Sequence, residues 1–223
     1  MPRTNTNHKR MLFLGGGNIA NAVACGLVKS GNVPAEYISV YDINPEQLKK
    51  FDQYGISTST DLKSVINDAE FIFLAVKPSI VSVIAKQLSE YEGIADRCTV
   101  ISFAAAVSIK HITDSFGKEI PVIRTMPSTP ILVGEGVIAA CRNDLVTEKN
   151  FEYFCRTLSS IAHVSVVEEE LMNPIISVHG SSPAYVYLFV KAMLDSAEQQ
   201  GIDNSVALPL ILKTIKGSIT MIE

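Results

Sequence analysis

Hydrophobic positions along the chain fall into two textures. As far as residue 167, short unbroken apolar runs alternate with stretches in which apolar residues recur every three or four positions. Met11, Leu12, Phe13 and Leu14 form the first run and lead into three glycines, as expected of a strand buried on both faces. Residues 18–30 follow with Ile19, Ala20, Val23 and Leu27 at helical spacing, and Gly31 stops them. The alternation predicts further strands at 37–41, 71–76, 98–103, 121–124, 136–140 and 164–167. Helices are expected from Pro45 through Leu48 and Phe51, from Pro78 to Leu88, at 108–116 and at 148–159. Strands alternating with helices imply right-handed crossovers and a mostly parallel sheet covered on both faces.

The texture changes near Glu168. Residues 185–200 form a strong helical pattern, with Ser182 placed to cap it, Pro183 at its first helical position and Gly201 as its stop. Residues 203–223 form a second, in which Pro209 must lie near the first turn or bend the helix. The expected organisation is therefore an α/β domain over 1–167 and an all-α domain over 168–223. Leu188, Val190, Leu210, Leu212, Ile215 and Ile219 leave that helical pair with apolar surface. Either a second copy of the chain or residues beyond Glu223 are expected to cover it, and a homodimer is the simpler expectation.

Composition narrows the classes of partner. With 47% hydrophobic and 19% charged residues, the 223-residue chain has the balance of a folded protein. A net charge of -4 gives no basic face for nucleic acid or an anionic membrane. The one basic cluster, His8, Lys9 and Arg10, reads as a solvated leader. Cys25, Cys98, Cys141 and Cys155 form no C-x-x-C pair and have no histidine at metal-ligand spacing, so no metal site is expected. No signal peptide and no apolar run of spanning length are visible, which makes a reducing, cytoplasmic compartment the expectation.

The chemistry lies at the strand ends. Gly15, Gly16, Gly17, Asn18, Ile19 and Ala20 match G-x-G-x-x-A between a strand and a helix, the phosphate-binding turn of a Rossmann-type, doubly wound domain. Gly15 suits the tight turn, Gly17 lets the backbone approach a pyrophosphate, and Ala20 permits close helix packing. Asp42, 22 residues after Ala20, ends the second strand, where it can accept from ribose hydroxyls or cap the next helix together with Asn44. Ala75, Val76 and Lys77 end the next central strand, with Lys77 either a ribose or carboxylate contact or simply solvated. Ala104 and Ala105 follow another strand as small residues that either let a nicotinamide ring approach the backbone or simply pack the following helix tightly. Arg124 opens the turn Arg124-Thr125-Met126-Pro127-Ser128-Thr129-Pro130 and is either a structural ion pair or an anion contact.

Together with His179-Gly180-Ser181-Ser182-Pro183-Ala184-Tyr185, these segments resemble the pyrroline-5-carboxylate reductase family from about Met11 to Glu223. The resemblance implies reduction of the cyclic imine 1-pyrroline-5-carboxylate to L-proline with NADPH or NADH, in dimers that interlock through the helical domain. It places Ser181, Ser182 and Ser128 on the substrate side. His179 stands where the family usually has a small residue, and Ser128 where it commonly has Asn. A lone histidine near a helix start is expected to be packed or solvated rather than catalytic. The family also continues for roughly another helix pair, which carries an S-P-G-G-T-T loop for the substrate carboxylate. The chain as given is therefore expected to bind substrate poorly.

Two other readings stand beside this one. A truncated or diverged homologue would bind dinucleotide and dimerise without turnover. A β-hydroxyacid dehydrogenase would share the glycine loop but carry a catalytic lysine in G-x-x-x-K. The fourth residue after Gly180 is Ala184 and the first lysine is Lys191, which weighs against it.

Overall fold

The computed structural model describes residues 8–223. Two compact units emerge, Met1–Ile176 and Ser177–Glu223. In the first, the described residues build an eight-stranded sheet from β1 (Met11–Leu14), β2 (Ile38–Tyr41), β3 (Ser57–Ser59), β4 (Phe71–Leu74), β5 (Thr99–Ser102), β6 (Val122–Pro127), β7 (Gly136–Arg142) and β8 (Ala162–Val166). Their order is β3-β2-β1-β4-β5-β6-β7-β8. The order reverses between β1 and β4, so a crevice opens at the carboxyl ends of those strands. Leu14 is in register with both Tyr41 and Leu74, and Leu74 with Ser102, so the turns after β1, β2, β4 and β5 emerge side by side.

Every pair is parallel except β6 with β7. Only the 3₁₀ segment Thr129–Val133 intervenes there, too short for the crossover a parallel pair requires. Antiparallel pairing from Ile123 opposite Arg142 to Pro127 opposite Ile138 carries both strands beyond the ends expected at 124 and 140.

Alternating side chains of one strand enter different layers. Phe13 and Phe73 join a core with α1 (Asn18–Lys29) and α7 (Glu148–Leu158). Leu12, Leu14 and Leu74 join another with α4 (Val81–Ser89) and α6 (Ile109–Phe116). That is why the central strands read as continuous apolar runs. The polar edge strand β3 was not expected, because its sequence, Ser-Thr-Ser, carries no such run.

Three further expectations change. Lys9 is not part of a solvated leader: its Nζ lies 2.7 Å from Glu70 Oε1 and its backbone N–H donates to the Tyr153 hydroxyl. Residues 168–176, placed by sequence beyond the first domain, pack within the first unit. Met172 is buried in its core, and Glu169 and Asn173 accept from its side chains. In the second unit the long helices are α8 (Ser182–Gln199) and α9 (Asn204–Thr220). Ser182 does not cap α8 but is its first residue, because its hydroxyl donates back to the carbonyls of Ser177 and Val178. Asp203 caps α9 by accepting from Ser205 N–H, and Pro209 lies inside that helix. Among the described residues, no helix is long and apolar enough to cross a membrane.

Candidate functional site

The glycine loop is locked to the neighbouring strand ends. Gly15 N–H donates to the Tyr41 carbonyl and Ala75 N–H to the Leu14 carbonyl, each at 2.8 Å. Gly15 has φ +102°, and a Cβ there would lie 2.6 Å from the Ala75 carbonyl oxygen and 3.1 Å from Val76 Cγ1. Only glycine satisfies both demands. Gly16 is buried and donates to Asp42 Oδ2 at 2.7 Å. At Gly17 a Cβ would meet nothing within 4 Å, so the backbone lies open to a ligand.

Gly17 precedes α1 in an extended conformation. Among the described residues no side chain caps that helix, and its first turn carries no acidic residue. The amides opening α1 are therefore available to an anion, reinforced by the helix dipole. A pyrophosphate fits this cradle, with Gly17, Asn18 and Ile19 as the residues that would hold it. Asp42 joins the same loop: while Oδ2 accepts from Gly16, Oδ1 accepts from Asn44 N–H at 2.8 Å. The capping alternative falls to Asn44, whose side chain accepts from Glu46 N–H.

Asn18 and Ile19 also line a cavity of about 230 Å³, whose other walls are mainly apolar groups including Phe103, Ala105, Met126 and Leu132, together with Ser128. Ala105 lines it, whereas Ala104 is buried behind, its N–H donating to Ser102 Oγ. Ala106 is held at φ 60°, a left-handed conformation costing about 1–2 kcal/mol for a residue with a Cβ. Ser128 Oγ accepts from Val137 N–H at 2.9 Å, and a hydroxyl that accepts still has its proton to donate. Lys77 is exposed beside the loop. The lining residues Phe103, Ile131 and Leu132 were not singled out by sequence, whereas Met126 and Thr129 lie in the proline-rich segment 124–130 that was.

Arg124 takes the structural alternative. Its side chain, 5% exposed, reaches Glu169 Oε1 at 3.1 Å and Asn173 Oδ1 at 2.6 Å. Glu169 also accepts from Ile109 N–H at 2.7 Å, so the pair ties β6 to the start of α6. In the second unit, Ser181 and Ser182 open α8, which has no side-chain cap and no acidic residue in its first turn. Both ring nitrogens of His179 are buried without a hydrogen-bond partner among the described residues, and burial pushes its pKa below the usual 6.5, which favours the neutral imidazole at pH 7.

Sheet order, glycine cradle and adjoining apolar cavity define a dinucleotide-binding oxidoreductase. Residues 10–106 match the family model described as NADP oxidoreductase, coenzyme F420-dependent, and residues 169–223 match that for pyrroline-5-carboxylate reductase dimerisation. Pyrroline-5-carboxylate reductase of Escherichia coli K12 is 33% identical over 96% of the chain and 79% of its own length, and that of Haemophilus influenzae 34% over the same shares. Among solved structures, the Plasmodium falciparum pyrroline carboxylate reductase with NADP bound superposes with a TM-score of 0.87 at 26% identity, covering 96% of this chain and 79% of its own. The Coxiella burnetii pyrroline-5-carboxylate reductase gives 0.87 at 28% identity, covering 96% and 80%. The chain belongs to the pyrroline-5-carboxylate reductase family and is an NAD(P)H-dependent oxidoreductase.

Proposed function

We propose that this chain reduces 1-pyrroline-5-carboxylate to L-proline in the cytoplasm, working as a homodimer. The observation that carries the reading is the shared wall: Asn18 and Ile19 stand both at the uncapped start of α1 and at the mouth of the apolar cavity. One side suits a pyrophosphate and the other a flat, weakly polar ring.

The dinucleotide, when bound, supplies the hydride. The amides of Gly17, Asn18 and Ile19 hold its phosphates, and Gly15, packed against Ala75 and Val76, keeps the loop close to the sheet. Phe103, Ala105 and Met126 exclude water from the transfer, and Ser128 offers a hydroxyl proton at the edge of that apolar wall. The family resemblance makes Ser181 and Ser182 candidates for the substrate side; within their own unit they open α8, whose start favours a carboxylate. If the imine arrives protonated, hydride addition yields a neutral amine and needs no protein acid in that step. Catalysis then rests on positioning and electrostatics. The neutral His179 is consistent with this.

Support for the homodimer comes from the dimerisation match over 169–223 and from the exposed apolar residues of α8 and α9. The test of function is oxidation of NADH and NADPH, followed by absorbance, with 1-pyrroline-5-carboxylate as substrate. Imine-dependent oxidation is expected at high substrate concentration. Silence from folded protein that still binds the dinucleotide would withdraw the reductase reading and leave a dinucleotide-binding homologue.

A further inference from the structure

We infer that Asp42 makes the adenosine end of this site select an unphosphorylated ribose, so that the chain takes NADH in preference to NADPH. The inference rests on the dinucleotide reading above and deepens it by naming the form of the cofactor.

Asp42 follows directly on Tyr41, whose register partner is Leu14, the last residue before the glycine loop. Its carboxylate is fixed in place, because each oxygen accepts one backbone N–H, from Gly16 at 2.7 Å and from Asn44 at 2.8 Å. Turning the carboxylate away from an incoming phosphate would strand two donors, and Gly16 is buried. Each oxygen retains a lone pair that can accept from a ribose hydroxyl. A 2′-phosphate at the same place offers no proton and brings negative charge against negative charge.

The surroundings do not compensate. Positions 43–45 are Ile, Asn and Pro, with no cation among them. In the next turn, Lys49 is engaged by Glu46 at 2.7 Å and Lys50 donates to Gln47 at 3.0 Å. Glu46 adds a second carboxylate. Ile43, 81% exposed, presents an apolar face that suits a purine ring and cannot solvate a phosphate. Like charges within a few ångströms of each other discriminate by at least about tenfold, even in a largely solvated setting.

Binding rather than turnover tests this. NADH and NADPH are titrated separately into the full chain, with nicotinamide fluorescence as the readout. NADH is expected to bind about tenfold tighter or better. Asp42→Asn should narrow the ratio mainly by improving NADPH. Ile43→Arg, which leaves both Asp42 hydrogen bonds in place, should improve NADPH while largely retaining NADH. It decides the matter if the Asn variant disturbs the loop. Equal affinities, or tighter NADPH, in the unmodified chain would overturn the inference while the dinucleotide reading stands. Binding of neither by folded protein would overturn both.

Discussion

Apolar residues meet different fates in the two units. In the first, Phe13 and Phe73 are fully buried and stack at 4.4 Å between ring centroids on one face of the sheet, while Leu12, Leu14 and Leu74 are buried on the other. In the second, Tyr185, Val186, Tyr187, Leu188 and Phe189 are 47–65% exposed, and Ala207 and Ile211 are the buried residues of α9. A sheet whose crossovers return over both faces supplies its own cover. Two helices can bury only one stripe of each other, so the remaining apolar faces call for another surface. The first unit therefore covers its own apolar residues, whereas the second leaves apolar faces that the proposed homodimer would cover.

The largest test of that contrast pairs two phenylalanines. Phe73→Ala should cost about 3–5 kcal/mol in urea unfolding, independent of protein concentration. Phe189→Ala, on α8, should barely alter the first unit but shift the proposed dimer towards monomer, seen by light scattering as dissociation at higher protein concentration than in the parent. Equal effects from both would break the contrast. A second test stays inside the first unit. Gly15→Ala must adopt φ +102° and push against the Ala75 carbonyl, so a loss of roughly 1–3 kcal/mol is expected. Nicotinamide fluorescence should show weakened binding of NADH and NADPH alike, since the loop serves both.

The smallest effect concerns pH and the second unit. Burial holds the folded His179 pKa below its usual 6.5, so the unfolded chain binds the extra proton first. Stability is unaffected well above pH 6.5 and falls as the pH drops from there towards the folded pKa. His179→Ser should remove that dependence. Comparing urea midpoints of the two proteins at pH 8 and near pH 6 checks it. The variant should gain relative to the parent only at the lower pH.

Sequence revealed the architecture wherever burial leaves a pattern: β1 and β4 are apolar throughout because they are covered on both faces. It was silent at β3, whose three polar residues join the sheet through backbone pairing to β2 alone. The glycine loop was legible because its whole G-x-G-x-x-A pattern lies in one short stretch between a strand and a helix. Its junction with Asp42 was legible only as alternatives, since contact between residues 16 and 42 depends on strand register that no local pattern encodes. The capping role assigned to Ser182 failed for a related reason. A serine at a helix start can bond forward or backward, and the carbonyls of Ser177 and Val178 decide it. Lys9 and Glu70, and Arg124 and Glu169, likewise find each other only once the sheet is assembled.

The cysteines carry a practical consequence. Burial pushes the Cys25 thiol up to about 11 and the Cys141 thiol to about 12, and raises Cys98 and Cys155 as well. Little thiolate exists at neutral pH while the fold is closed, and alkylating reagents need the thiolate. All four lie in the first unit, and residues 177–223 contain none. The rate at which iodoacetamide modifies the buried Cys25, Cys98 and Cys141 is thus a clock for opening of the sheet and its crossovers, whereas Cys155, only partly buried, can react without it. Run beside a measurement of assembly, it would time the opening of one half of the molecule without labelling or altering the other.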